Sequence, residues 1–149
     1  MRIKYLISVL LFCFSCNQQY KEENVAVAKI IQKGSKIELQ KDKKVILIVP
    51  VIGCTTCIEP VKNFINKVDN PNFIIVASCY SSKDFYFAFP GGELENRNCI
   101  VDTLGLAFRH GLVDVGAKLY FFENGKITDI KTSSCAEPGL LTQTLNFLK

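Results

Sequence analysis

Two cysteines separated by two residues, Cys54-Thr55-Thr56-Cys57, carry the clearest chemistry in this sequence. Cysteines at that spacing close a small disulfide ring, so a thiolate that attacks a disulfide has its own resolving thiol at hand. Half of a zinc site and two buried cysteines are the other readings. Structural zinc needs four ligands, and after residue 16 the chain has no second C-x-x-C and only one histidine. No metal is therefore expected, and thiol–disulfide exchange is the better account.

That chemistry requires particular elements around the pair. Val45-Ile46-Leu47-Ile48-Val49 is a short, β-branched run behind a charged cluster, which predicts a buried strand. After Cys57 the period changes: Ile58, Val61, Phe64, Ile65 and Val68 recur at helical spacing, with Glu59, Lys62, Asn63, Asn66 and Lys67 on the other face. Cys54 thus falls where a strand gives way to a helix, and Cys57 one turn further on. At a helix N-terminus, unpaired N–H groups and the helix dipole favour thiolate over thiol.

The length of 149 residues allows one domain with a real core and a small extra segment. Hydrophobic content of 48% and charged content of 21% exclude wholesale disorder. The formal charge is +4; removing Arg2 and Lys4 from the 18 basic residues leaves 16 against 14 acidic, or +2. The basic residues form no dense stripe, so no nucleic-acid partner is expected.

Arg2 and Lys4, followed by ten residues from Tyr5 to Phe14 that are too few to span a bilayer, predict an export signal over residues 1–15. The ending Cys13-Phe14-Ser15-Cys16 resembles a bacterial lipobox, which implies cleavage before Cys16 and lipid attachment to its thiol. An ordinary signal peptide and a lipobox at Cys13 are the alternatives. Residues 16–24 then read as the lipidated cysteine and a polar tether, and residues 25–149 as the domain. Asn17 after the lipidated cysteine permits sorting to an outer membrane. The expected location is the cell envelope, facing the periplasm or on the outer membrane. Seven cysteines suit such a disulfide-permitting compartment.

Residues 25–31 and 35–39, broken by Lys33-Gly34, predict an N-terminal strand or hairpin. Asp69-Asn70-Pro71 stops the cysteine helix, and residues 73–78 form a second strand covered on both faces. Ser81 or Ser82 can cap a short helix ended by Pro90-Gly91-Gly92. Cys99-Ile100-Val101 is a strand closed by Asp102, and Thr103 can cap the helix after it. Asn124-Gly125 between two apolar runs predicts a hairpin with a type I′ turn, and Leu140, Leu141, Leu145 and Leu148 predict a terminal helix. This is an α/β pattern with one antiparallel hairpin.

In that order of elements, C-x-x-C after the first core strand resembles the thioredoxin superfamily, and in particular its membrane-anchored redoxin branch. The matching residues are Ile100-Val101-Asp102, the helix from Leu104 to Arg109, His110-Gly111-Leu112 and Asn124-Gly125-Lys126-Ile127. The resemblance implies a thioredoxin-like fold with a central mixed sheet, a C-terminal antiparallel hairpin and flanking helices. It implies Cys54 as the attacking thiolate, Cys57 as the resolving thiol and no cofactor. Its partners would be protein thiols or disulfides and a redox partner, with the membrane engaged through the lipid anchor. The family's cis-proline falls near Gly116 or Ala117, which become the substrate-facing loop. Other departures are Gly53 for an aromatic residue, Thr55-Thr56 without a proline, Ile48 for the buried acid of small cytosolic thioredoxins, and Pro60 three residues after Cys57 instead of five.

Cys135 lies outside the family pattern. The second hairpin strand returns beside the beginning of the first, so Ser133-Ser134-Cys135 is expected near Cys54, with Cys135 a possible third thiol. An inert loop cysteine is the alternative. Cys79 and Cys99 flank the middle segment and could pair with each other, but nothing in the sequence fixes that choice. Two functions remain open: a thiol–disulfide oxidoreductase, and a non-catalytic lipoprotein in which Cys54–Cys57 is a structural disulfide. A peroxiredoxin is excluded, because the threonine and proline of its motif would fall on Val51 and Leu47. His110 reads as a turn residue and not as a metal ligand.

Overall fold

The computed structural model describes residues 19–51, 55–94, 96–133 and 138–149. Helix α1 (Lys21–Gly34) leads into β1 (Lys43–Pro50), α2 (Thr55–Lys67), β2 (Phe73–Ser78) and α3 (Ser82–Ala88). The chain continues through β3 (Asn98–Asp102), α4 (Leu106–Arg109), β4 (Ala117–Glu123), β5 (Lys126–Ser133) and α5 (Pro138–Phe147). The strands form one five-stranded mixed sheet in the order β3-β2-β1-β4-β5. β1, β2 and β3 are parallel, while β4 is antiparallel to both β1 and β5.

Unbroken apolar strands mean burial on both faces, and the residues divide with period two. Val45, Leu47, Val49, Phe73, Ile75, Ala77, Leu119 and Phe121 point to the side covered by α2 and α5. Ile46, Ile48, Ile74, Val76, Tyr120 and Phe122 point to the other, where α1 and the α4 segment lie. At the hairpin tip Asn124 has φ 52° and Gly125 φ 77°, the two positive values that a type I′ turn needs. Ser81 caps α3, its hydroxyl accepting from the Asp84 N–H at 3.3 Å.

Two expectations are corrected. The apolar stretch from Val25 is the middle of helix α1, not a strand or hairpin, and the helix also takes in Lys21 to Asn24. Ala26, Val27, Ile30 and Ile31 form a helical stripe that closes one face of the sheet. The side chain that serves the start of α4 is Asp102, not Thr103. Gly105 occupies the cap position without a side-chain bond, and Asp102 Oδ2 accepts from the Ala107 N–H at 2.8 Å. A carboxylate at the strand end reaches that orphan amide and also meets the positive end of the helix.

Candidate active site

The parallel strands all end on one side of the molecule. Pro50 pairs with Ser78, Ser78 pairs with Asp102, and the Val51 N–H donates to the Ser78 carbonyl at 2.8 Å. The antiparallel hairpin begins and ends on this same side. Ile48 pairs with Lys118, and Ala117 pairs with Ser133. The connections that follow β1, β2, β3 and β5, and the one that leads into β4, therefore all open at this end of the sheet.

Cys57 is the third residue of α2, a helix of 13 residues with no acidic residue in its first turn. The positive end of the helix is thus uncompensated from within, the condition that favours a thiolate there. Pro60, further along the same helix, supplies no N–H to its ladder. Cys54 lies outside the described residues, as do Cys16 and Cys135; all that the fold gives for Cys54 is its place in the three-residue connection between Val51 and Thr55. Cys135 stands two residues after Ser133 in the connection that leaves the same sheet end.

Ala117 is buried at the start of β4, in the apolar layer beneath α2 that also holds Val49, Val51 and Ile58. Gly116 precedes it, half-buried, and its N–H donates to Asp114 Oδ1 at 3.2 Å. No cis peptide bond occurs among the described residues, and Gly116 is not among the glycines with positive φ. A proline there meets no positive φ, one of the conditions its ring imposes. If this loop receives a substrate strand, as the resemblance implies, Gly116→Pro is expected to raise disulfide exchange several-fold by fixing it, despite the loss of the exposed N–H to Asp114. A folded variant with an unchanged or lower insulin-reduction rate would refute that account of the loop.

The sheet end also contains groups that sequence reasoning did not place in the site. Asp102 is buried; its Oδ2 accepts from Ser78 Oγ at 2.9 Å as well as from Ala107 N, which ties the ends of β2 and β3 together. Its signal in the sequence was the acid that closes an apolar strand. Cys79 is fully buried directly after β2, and its own N–H donates to the Asp102 carbonyl at 3.0 Å. Burial pushes the Cys79 thiol up, and the Asp84 and Asp102 carboxylates add to this; hydrogen bonds with the backbone at Ser81 and Phe85 offset part of it.

Cys79 and Cys99 do not pair: both are free thiols. Cys99 is in register with Ile75, and Cys79 stands four residues further along, roughly 13 Å at strand rise. A disulfide spans Cα atoms no more than about 7 Å apart. Burial pushes the Cys99 thiol up to about 12, so neither cysteine is an accessible thiolate near neutral pH. His110 is exposed at the end of α4, in a surface groove with Lys21, Val25 and Lys29 of α1.

Among the described residues no three His, Cys, Asp or Glu side chains converge as a metal-holding set. No described helix is long and apolar enough to cross a membrane. No protein-family model matches the chain, and no curated protein matches it.

Proposed function

We propose that this chain is a lipid-anchored thiol–disulfide oxidoreductase of the cell envelope, built on a thioredoxin-like fold and acting through Cys54 and Cys57. The observation that carries the reading is the position of Cys57 in the first turn of α2. That helix starts four residues after Val51, at the sheet end where Ala117 and Ser133 also lie. A central mixed sheet with a C-terminal antiparallel hairpin and helices on both faces supports the thioredoxin-like assignment.

In the reducing direction, the Cys54 thiolate attacks one sulfur of a substrate disulfide. An S–S bond forms between Cys54 and the substrate, and the other substrate sulfur leaves as a thiolate that takes up a proton. Cys57, as thiolate, then attacks Cys54 Sγ, releasing the second substrate thiolate and closing the Cys54–Cys57 disulfide. Two electrons pass to the substrate, and a dithiol redox partner must return them. The oxidising direction is the same sequence reversed.

Insulin reduction by the soluble chain without Cys16, at limiting dithiothreitol, tests the reading. A rate well above the dithiothreitol background is expected. A background rate from folded protein would favour the non-catalytic alternative, in which the pair is a structural disulfide.

A further inference from the structure

The reading of residues 16–24 as a tether gives the domain freedom to turn in any direction above a membrane. Helix α1 takes up the second half of that stretch. It begins at Lys21, and Gln19 and Tyr20 already belong to the described fold, with Tyr20 packed against the core on the α1 side. Between Cys16 and Gln19 there are three peptide units, which reach at most about 11 Å.

The start of α1 is fastened to a particular corner of the molecule. The Asn24 side chain bridges to the hairpin: Nδ2 donates to the Gly125 carbonyl at 3.2 Å, and Oδ1 accepts from the Ile127 N–H at 3.0 Å. These bonds lie 101 and 103 residues apart in sequence, so they are tertiary clamps and not local turns. The hairpin tip stands at the end of the sheet where Glu123 pairs with Lys43. The connection that carries Cys54 leaves from the other end. β4 runs the distance between them, seven residues or about 20 Å.

Resting on the lipid-anchor reading of Cys16, we propose that the anchor holds the hairpin corner against the membrane and directs the cysteine end into the aqueous phase. The partners of the site are then thiols or disulfides of water-soluble proteins, not of partners embedded in the lipid. The surfaces of the two ends accord with this. Lys43, Lys126 and Lys149 are exposed at the hairpin end, interspersed with Asp42 and Glu123. At the cysteine end Tyr80, Leu104 and Val115 are exposed, at 63%, 56% and 93%, apolar contacts of the kind a protein partner covers.

The test uses the full-length lipidated protein in vesicles of phosphatidylethanolamine and phosphatidylglycerol, with the photo-crosslinking residue p-benzoylphenylalanine in place of Lys126 or of Val115. Lipid adducts at position 126 are expected to exceed those at 115 by about tenfold. Inserting about 20 Gly/Ser residues after Cys16 should bring the two positions close to parity, because a long flexible linker lets the domain tumble. Equal adducts in the protein of native length, or more at 115, overturn the proposal. The mass of the N-terminal peptide separates the two ways of failing. Without an acyl group on Cys16 the anchor reading falls and this proposal with it; with the acyl group and equal adducts, only the orientation falls.

The partner class is read on the same vesicles with a 2-pyridyl disulfide carried on a soluble peptide or on a phosphatidylethanolamine headgroup. Attack by a protein thiolate forms a mixed disulfide and releases 2-thiopyridone. The peptide probe is expected to react about tenfold faster than the lipid probe, and equal rates overturn the assignment. Reaction with neither probe would sink the redox reading itself and the partner class with it, leaving the orientation to the adducts.

Discussion

Cys54→Ser is expected to bring insulin reduction down to the uncatalysed background, a loss of at least about 10³-fold, as removal of an attacking nucleophile does elsewhere. The serine hydroxyl is not ionised near neutral pH and cannot form the mixed disulfide on which the exchange depends. The two described free thiols cannot substitute in the folded state. Cys79 is fully buried beside two carboxylates, and Cys99 lies mid-strand with its thiol pushed up to about 12. The variant should keep its fold, since the exchange replaces one sulfur by one oxygen in the connection after β1. A folded Cys54→Ser protein that still reduces insulin at the wild-type rate would place the chemistry elsewhere.

The largest expected loss of stability comes from Asp102. Its Oδ2 is the acceptor for two buried donors, Ser78 Oγ and the Ala107 N–H, at 2.9 and 2.8 Å. Asp102→Ala leaves both without a partner. Each buried unsatisfied donor costs about 1–3 kcal/mol, so a total of about 2–6 kcal/mol is expected. For a domain of this size that lowers the melting temperature by roughly 5–25 °C. Asp102→Asn keeps one carbonyl oxygen and should lose about half as much. Thermal unfolding followed by circular dichroism measures both. A fall below about 1 kcal/mol for the alanine variant would mean that water or another acceptor replaces the carboxylate, contrary to its burial at 5% exposure. The position links stability to function: β2 ends at Ser78, whose carbonyl accepts from Val51, the last described residue before the Cys54 connection.

Much of this architecture was legible in residue order. β1 and β2 announce themselves as β-branched runs because both faces are covered, and the two alternating sets of side chains each meet a helical layer. Asn124-Gly125 specifies its turn locally, through two residues that tolerate positive φ, and the structure has that turn. Ser81 as a cap was readable for the same local reason.

Helix α1 was not. Val25, Val27, Ile30 and Ile31 satisfy a strand as readily as a helix when only propensity is weighed. The decision comes from the sheet face of Ile46, Ile74, Tyr120 and Phe122, which needs a stripe wide enough to cover it. A spacing of 26, 27, 30 and 31 with Glu22 and Glu23 before it and Lys33 after it was the available signal. Asp102 was missed as a cap because it stands five residues before the amide it serves, at the end of β3 and outside the usual cap spacing. The Cys79–Cys99 pairing failed on register, which sequence spacing does not contain. For the site, residue order supplied the strand-to-helix change around the cysteine pair. The fold adds that the ends of β1, β2, β3 and β5 and the start of β4 share that side of the sheet.

The most direct measurement on the central claim is covalent trapping by Cys57→Ser. Without its resolving thiol, Cys54 should attack a disulfide-containing peptide and remain joined to it, because the thiol that normally completes the exchange is gone. Mass spectrometry of the non-reduced, alkylated protein should find one peptide per chain, attached at Cys54, in at least about tenfold excess over wild type. An absence of adduct in folded protein, or an adduct attached chiefly at Cys79, Cys99 or Cys135, would contradict the assignment of Cys54 as the attacking thiolate.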